Sequence, residues 1–177
     1  HTGFLLFTFV AGSHFVILYL VVYLVMNMSA FGLVQLAEEK YGVAQLADFK
    51  GLRRKEPFLG VLFLVVVIAL TGLPPTAGFT AKFVLFSGVY AEYATTASPI
   101  FLVVLVVGLL NTVVSLFYYL RIPYYMFIKN EESKKEIANY SNLVLNYSMG
   151  IMVFVLLLWF FLPNSLMDIV YSINFAE

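Results

Sequence analysis

The charged residues of this 177-residue chain leave four long stretches that contain no Asp, Glu, Lys or Arg. The stretches run from His1 to Ala37, from Pro57 to Ala81, from Tyr93 to Leu120 and from Ile137 to Met167. A helix that crosses a bilayer needs about 20 apolar residues to cover roughly 30 Å. Each stretch is therefore long enough for one membrane span, and the first can hold a span and part of another.

The composition excludes several classes of protein. Only 11% of the residues are charged, against about 25% in a typical soluble domain, and the mean hydropathy is +0.95. So much apolar surface excludes both a soluble globular domain and a disordered chain. The chain has no cysteine, which excludes a disulfide framework and thiolate ligands for an iron–sulfur cluster. Its zero net charge gives no reason to expect nucleic acid as a partner.

We therefore predict an all-α integral membrane protein that forms one transmembrane helical unit over residues 1–177. The predicted helices cover residues 1–12, 15–34, 57–91, 99–128 and 143–162. The first is too short to cross, because about 12 residues rising 1.5 Å each cover roughly 18 Å. We therefore expect the chain to be the C-terminal part of a longer protein, cut within a helix.

The basic residues predict the orientation in the membrane. All the Lys and Arg residues of the loops fall in the connections between the second and third and between the fourth and fifth predicted helices. They are Lys40, Lys50, Arg53, Arg54, Lys55, Lys129, Lys134 and Lys135. Basic loops stay on the cytoplasmic side or its organellar equivalent. The C-terminus is therefore predicted on the outer side.

The third predicted helix contains an interruption near residues 72–76. A straight helix over residues 57–91 would be about 52 Å long, well beyond the hydrocarbon core. Pro74 and Pro75 remove two amide donors, while Gly72 and Gly78 permit the non-helical angles needed to restart the helix. Non-helical backbone at membrane depth is tolerated only where protein buries it or where it lines a wet cavity. Broken helices of this kind mark ion and substrate sites in transporters.

Lys82 follows the break and is the only charged residue between Glu56 and Glu92. It lies ten residues, or roughly 15 Å, from the Glu92 end, which is close to the bilayer midplane. Intramembrane ionisable residues are functional by default, although a structural buried pair is the alternative. No carboxylate in the predicted spans can neutralise this lysine. We therefore expect its partner to be water, a histidine or a group on helices outside the chain.

Several segments resemble one family of membrane proteins. IALTGLPPTAGFTAKF at residues 68–83 resembles the broken-helix motif of the antiporter-like subunits of respiratory complex I. LVMNMSAFGLV at 24–34, DFKGL at 48–52 and SLFYYLR at 115–121 narrow the resemblance to the subunit N family of NADH:quinone oxidoreductase. HTGFLL at 1–6 is similar to the start of that family's tenth helix. On this resemblance the chain covers the tenth to fourteenth of fourteen helices.

The resemblance implies a function. Such a subunit translocates protons through buried lysines and water in a complex that reduces quinone with NADH, and Lys82 would be a proton carrier in that relay. The resemblance makes His1 a candidate second relay group, with a histidine hydrogen-bonded at a helix end as the alternative. This chain would carry no cofactor and no metal. Within the complex, other subunits would hold FMN, iron–sulfur clusters and quinone.

The implied partners are the N-terminal helices of the same subunit, neighbouring antiporter-like subunits and the lipid of a bacterial plasma membrane or mitochondrial inner membrane. Thr71, Thr76 and Ser115 are polar groups at membrane depth. They are expected to form interhelical hydrogen bonds or to order water beside Lys82. Two other functions remain open. One is a cation/proton antiporter or membrane hydrogenase subunit of the same superfamily, and the other is a scaffold without transport activity.

Overall fold

The computed structural model describes residues 2–11, 13–129 and 143–172, and these residues form helices and short connections. In chain order the α-helices are α1 (Thr2–Ala11), α2 (Ser13–Tyr41), α3 (Leu52–Lys55), α4 (Pro57–Thr71), α5 (Ala77–Thr96), α6 (Pro99–Tyr119), α7 (Arg121–Phe127), α8 (Leu143–Phe161) and α9 (Pro163–Ser172). A 3-10 helix, Leu46–Phe49, precedes α3. The all-α fold class predicted from the sequence is confirmed.

Three stretches in the described part of the chain are helical, long and apolar enough to cross a membrane. They are Phe15–Tyr41, Pro99–Phe127 and Val144–Phe161. The apolar helix α4 has 15 residues and is shorter than a full span. It continues into α5, so that the two helices together follow the path predicted for one interrupted span.

Helix α2 is longer than the predicted helix over 15–34, because its last turns are polar but still favour a helix. The Gln35 side chain donates to Glu39 Oε1 at 2.8 Å across one turn, a spacing that stabilises helices. Lys40 lies in the last turn, where a cation complements the helix dipole. Hydropathy alone ends the helix at the membrane boundary, whereas helix propensity carries it seven residues further.

Between α4 and α5 the chain leaves the helical conformation. Gly72 adopts left-handed angles, φ 78° and ψ 43°, which favour glycine. The amides of Gly72 and Leu73 both donate to Ile68 O, at 3.0 and 3.1 Å, and this closes α4. A cis peptide bond joins Pro74 to Pro75. Helix α5 then restarts after Thr76, which has extended backbone angles.

Helix α2 lies at the centre of the packing and contacts α1, α4, α5, α8 and α9. Its residues Val22, Met26 and Leu33 are fully buried. Helix α6 is the most exposed, with apolar side chains such as Val114 and Phe117 standing out from the bundle. Such an apolar surface is unfavourable in water and is suited to contact with lipid or with another apolar chain.

Several helical features were not predicted, among them the 3-10 helix and α3. The helix predicted over 99–128 consists of α6 and α7, with Leu120 between them. Helix α9 begins at Pro163, and at the first position of a helix the missing amide donor of a proline costs nothing. Leu166 of α9 is buried, and the helix packs on α2 and α8. A search for spans overlooks α9 because it is too short and too polar to cross.

Candidate functional site

Lys82 is buried at the junction of α4 and α5. It is the sixth residue of α5, and only 3% of its surface is exposed. Side chains on a helix lean toward the helix N-terminus. The lysine side chain therefore extends back toward the break. Lys82 lies beyond the first turn of α5, where the unfavourable positive end of that helix dipole has little effect.

The Lys82 ammonium donates to two main-chain carbonyls at the C-terminus of α4. The Nζ atom lies 2.8 Å from Thr71 O and 3.2 Å from Leu70 O. In a continuous helix these carbonyls would accept from the amides of residues 75 and 74, four positions further on. Both positions are proline and have no amide hydrogen. The prolines thus leave two acceptors without a helical donor, and the lysine takes both.

These carbonyls are partners within the chain that the sequence analysis did not predict, and its own candidates, water, a histidine or a group outside the chain, stay predictions for the third hydrogen of the ammonium. The negative end of the α4 dipole, concentrated on its last carbonyls, stabilises a cation placed there. Counting four residues back from each proline would have identified both carbonyls in the sequence. The sequence analysis considered water and side chains but not main-chain carbonyls.

An aromatic ring of α1 covers the lysine. Lys82 Nζ lies 5.0 Å from the centroid of the Phe4 ring, within the range of a cation–π contact. Phe4 is 2% exposed, and its ring makes edge contacts with Phe7 and Phe86 at 5.6 and 5.9 Å. The sequence contained no signal for this contact, since an apolar residue on a short apolar helix has no distinctive spacing.

Two glycines provide space at the break. A Cβ atom on Gly72 would lie 2.5 Å from Lys82 Cδ, so the lysine side chain occupies the place of a Gly72 side chain. Gly78 was expected to permit non-helical angles, but it lies within the first turn of α5. Its role is different: a Cβ there would lie 1.9 Å from Ala69 O. The absence of a side chain lets α5 approach the backbone of α4.

The three hydroxyls expected near the lysine all donate within their own helix or turn. Thr71 Oγ1 donates to Ile68 O and Thr76 Oγ1 to Leu73 O, both at 2.8 Å. Ser115 Oγ donates to Thr112 O at 2.7 Å, on α6. Thr71 and Thr76 flank the break, whereas Ser115 does not. Each hydroxyl oxygen retains lone pairs that can accept from water.

The remaining candidate, His1, lies outside the described residues. Within residues 2–11, 13–129 and 143–172, no group of three or more His, Asp or Glu residues could hold a metal ion. The described chemistry of the site therefore consists of one amine, two main-chain carbonyls, one aromatic ring and the glycine and proline residues that arrange them.

The prolines provide a direct test of this geometry. In a Pro74→Ala/Pro75→Ala variant of the full-length protein, two new amide donors would compete with Lys82 for Leu70 O and Thr71 O. We expect a several-fold loss of any proton transport that depends on Lys82, measured in vesicles by quenching of a pH-sensitive dye. Pro57→Ala is the matched control, because Pro57 is the first residue of α4 and its missing amide removes no hydrogen bond within that helix. Equal transport in the two variants would contradict the proposed arrangement.

Comparison with known proteins identifies the family of this chain. Residues 1–111 match the family model described as NADH:quinone oxidoreductase/Mrp antiporter, transmembrane. NADH-quinone oxidoreductase subunit N 2 of Chloroherpeton thalassium is 34% identical over 140 residues, covering 77% of this chain and 26% of that protein. Subunit N of Pelagibacter ubique is 35% identical over 159 residues, covering 89% of this chain and 32% of that protein.

A solved structure of a related complex has a similar fold. A chain of respiratory complex I from Thermus thermophilus, solved with bound aureothin, has a TM-score of 0.69 and 28% identity over 89% of this chain and 34% of its own length. The present chain thus spans about a quarter to a third of the proteins it matches. It belongs to the NADH:quinone oxidoreductase/Mrp antiporter family of transmembrane proteins.

Proposed function

We propose that this chain is part of a membrane-arm subunit of a proton-pumping NADH:quinone oxidoreductase and that Lys82 carries protons within it. The subunit N relatives and the complex I structure support the complex. The burial of Lys82 against the broken helix supports its role. In this function the chain performs no redox chemistry, and quinone reduction elsewhere in the complex drives the transport.

The observation that carries the proposal is the set of partners that surrounds Lys82. Within the described residues, the lysine forms no ion pair with a carboxylate, and it donates only to neutral carbonyls. Loss of its proton therefore does not leave a buried anion without a partner, which would be costly. A structural lysine would instead be expected to have a fixed counter-ion.

The break determines how the amine meets its surroundings. The two carbonyls and the Phe4 ring stabilise the protonated amine. The neutral amine still has hydrogens to donate, so both protonation states fit the same position. Thr71 and Thr76 are the proposed groups that order water beside it, with Ser115 of α6 as a further candidate, and His1 is the proposed second relay group. Gly72, Pro74, Pro75 and Gly78 form the proposed hinge.

The proposed partners are the remaining helices of the same subunit, other membrane-arm subunits and lipid. Other subunits of the complex would hold FMN and the iron–sulfur clusters, since this chain has no cysteine to ligate a cluster. The location is a bacterial plasma membrane or mitochondrial inner membrane. The basic loops face its inner side, and the C-terminus lies on the outer side.

A second function is a cation/proton antiporter subunit, because the matching family also includes Mrp antiporters. A hydrogenase subunit and a scaffold without transport are less favoured, because the sequence relatives cited above are subunit N proteins.

Affinity purification of the tagged full-length protein in a mild detergent separates these functions. We expect NADH-oxidising flavoprotein and iron–sulfur subunits to co-purify, together with NADH:quinone reductase activity. Co-purification with hydrogenase subunits, or sodium-dependent proton exchange without NADH oxidation, would contradict the proposal. A control purification from cells that express the untagged protein identifies chains that bind the resin alone.

A further inference from the structure

A groove opens between α2, α4 and α8 at the charged end of the bundle, remote from the break. It contains two adjoining cavities of about 200 and 360 Å³. Phe58, Asn146 and Tyr147 line both cavities, so the two lie directly beside each other. The groove is not part of the proposed proton path.

One end of the groove displays both signs of charge. Lys40 Nζ and Glu56 Oε1 form an ion pair that lines the smaller cavity, and their side chains remain 20% and 30% exposed. Burial has the largest single effect and raises the pKa of Glu56, but the hydrogen bonds from Lys40 and Tyr41 and the charge of Lys40 together outweigh it and hold this pKa below its usual value. The pair therefore offers an ammonium and a carboxylate side by side to a ligand in the groove.

The other end is apolar. Phe58, Ile151 and Phe154 line the larger cavity, and each has more than half of its surface exposed. Gly150 forms the floor, where an added Cβ would meet only Phe58 Cζ, at 3.8 Å. From Asn146 to Phe154 the groove follows about 12 Å of α8.

The two ends correspond to two depths in the membrane. Lys40 lies in the last turn of α2 and Glu56 directly precedes α4, so the ion pair stands where two apolar helices meet the charged connection. From there the apolar half continues along α8 into its hydrophobic span. A ligand in this groove must therefore be polar at the membrane boundary and apolar toward the hydrocarbon core.

We propose that the groove binds one phosphatidylethanolamine molecule. Its phosphate contacts Lys40, its ammonium contacts Glu56, and one acyl chain lies along Phe58, Gly150 and Phe154. The phosphate and the ammonium of a zwitterionic headgroup can contact the Lys40 ammonium and the Glu56 carboxylate, respectively. A purely anionic headgroup would instead be repelled by the carboxylate. The primary ammonium can donate a hydrogen bond to Glu56, which the quaternary ammonium of phosphatidylcholine cannot do.

The test uses the intact complex in vesicles that contain phosphatidylethanolamine with a photoreactive diazirine in one acyl chain. Crosslinked positions are mapped by mass spectrometry before and after dilution with excess unlabelled phosphatidylethanolamine. We expect crosslinks at 147–154 to persist after brief dilution, while those on the exposed face of α6 fall in proportion to the dilution. Equal dilution of both sets would show ordinary boundary lipid and would overturn the proposal.

Two variants are designed to weaken binding of the lipid in different ways. Gly150→Leu fills the apolar end, and Lys40→Gln removes the contact to the phosphate. We expect each to lower the persistent crosslinking several-fold, while Val114→Leu on the exposed face of α6 leaves it unchanged. If Gly150→Leu prevents assembly, Lys40→Gln carries the test alone.

Two other results would overturn the proposal. Unchanged crosslinking in the variants would show that the groove does not hold the lipid. Protein–protein crosslinks that occupy 147–154 in place of lipid would assign the groove to a neighbouring subunit. A probe with a phosphatidylglycerol headgroup should persist less, and equal persistence would contradict the role of Glu56.

Discussion

Replacement of Lys82 by Met in the full-length protein is expected to abolish proton transport through this subunit while the complex still assembles. Methionine has a similar length and packs well in apolar surroundings, but it cannot take up a proton. The change leaves the carbonyls of Leu70 and Thr71 without their donor, at a cost of about 1–3 kcal/mol each, but it also removes the cost of burying a charge. We expect NADH-driven acidification of vesicles to fall sharply, and coupled quinone reductase activity to fall with it.

A Lys82→Arg variant distinguishes proton transfer from simple charge. Arginine keeps the positive charge and can donate to the carbonyls of Leu70 and Thr71, but its guanidinium does not lose its proton in proteins. We therefore expect this variant to assemble and also to fail in transport. Recovery of transport in Lys82→Arg would show that only the charge is needed and would contradict the proton-carrier role.

Lys129→Met is the matched control for the loss of a lysine. Lys129 is exposed beyond α7, where its ammonium lies 5.7 Å from the Tyr124 ring. The same change there should leave transport intact. Normal pumping by Lys82→Met would contradict the proposal, whereas failure of the Lys82→Met complex to assemble, with normal assembly of Lys129→Met, would favour a structural lysine.

The sequence predicted the architecture because solvent imposes a strong rule on this chain. Helices at membrane depth must be apolar, so the gaps between charges indicated the three helical stretches of the described residues that are long enough to cross a membrane, and Pro74 and Pro75 indicated the break. The residues at which the helices end depend on other interactions. The extension of α2 depends on helix propensity and side-chain pairs such as Gln35 with Glu39, which hydropathy does not measure.

The site was predictable only in part for a related reason. An isolated charge makes Lys82 conspicuous in the sequence, but its partners carry no charge. The carbonyls of Leu70 and Thr71 follow from the two prolines by helix geometry, so the sequence contained that signal. The Phe4 ring reaches the lysine through the packing of α1 on α5, a tertiary contact that no local pattern encodes.

The close approach of α5 to α4 leads to the second large expected effect, at Gly78. A Gly78→Ala change places a methyl group 1.9 Å from Ala69 O and 3.0 Å from Met26 Sδ. Overpacking usually costs about 1–3 kcal/mol when side chains can move. Here the obstructing atom belongs to the main chain of α4, beside the carbonyls that bind Lys82. We expect α5 to be forced away, with loss of both assembly and transport.

Gly60→Ala supplies the matched control, since Gly60 is a buried glycine of α4 that has room for a methyl group. A Cβ there would lie 3.4 Å from the nearest atoms of Arg53, an ordinary contact. Alanine favours a helix interior over glycine by about 0.5–1 kcal/mol. The measurement is the amount of assembled complex on native gels, together with its thermal stability. Because both variants add the same methyl group to a buried glycine, a difference between them reports the contact with Ala69, and equal assembly would show that α4 and α5 can separate without harm.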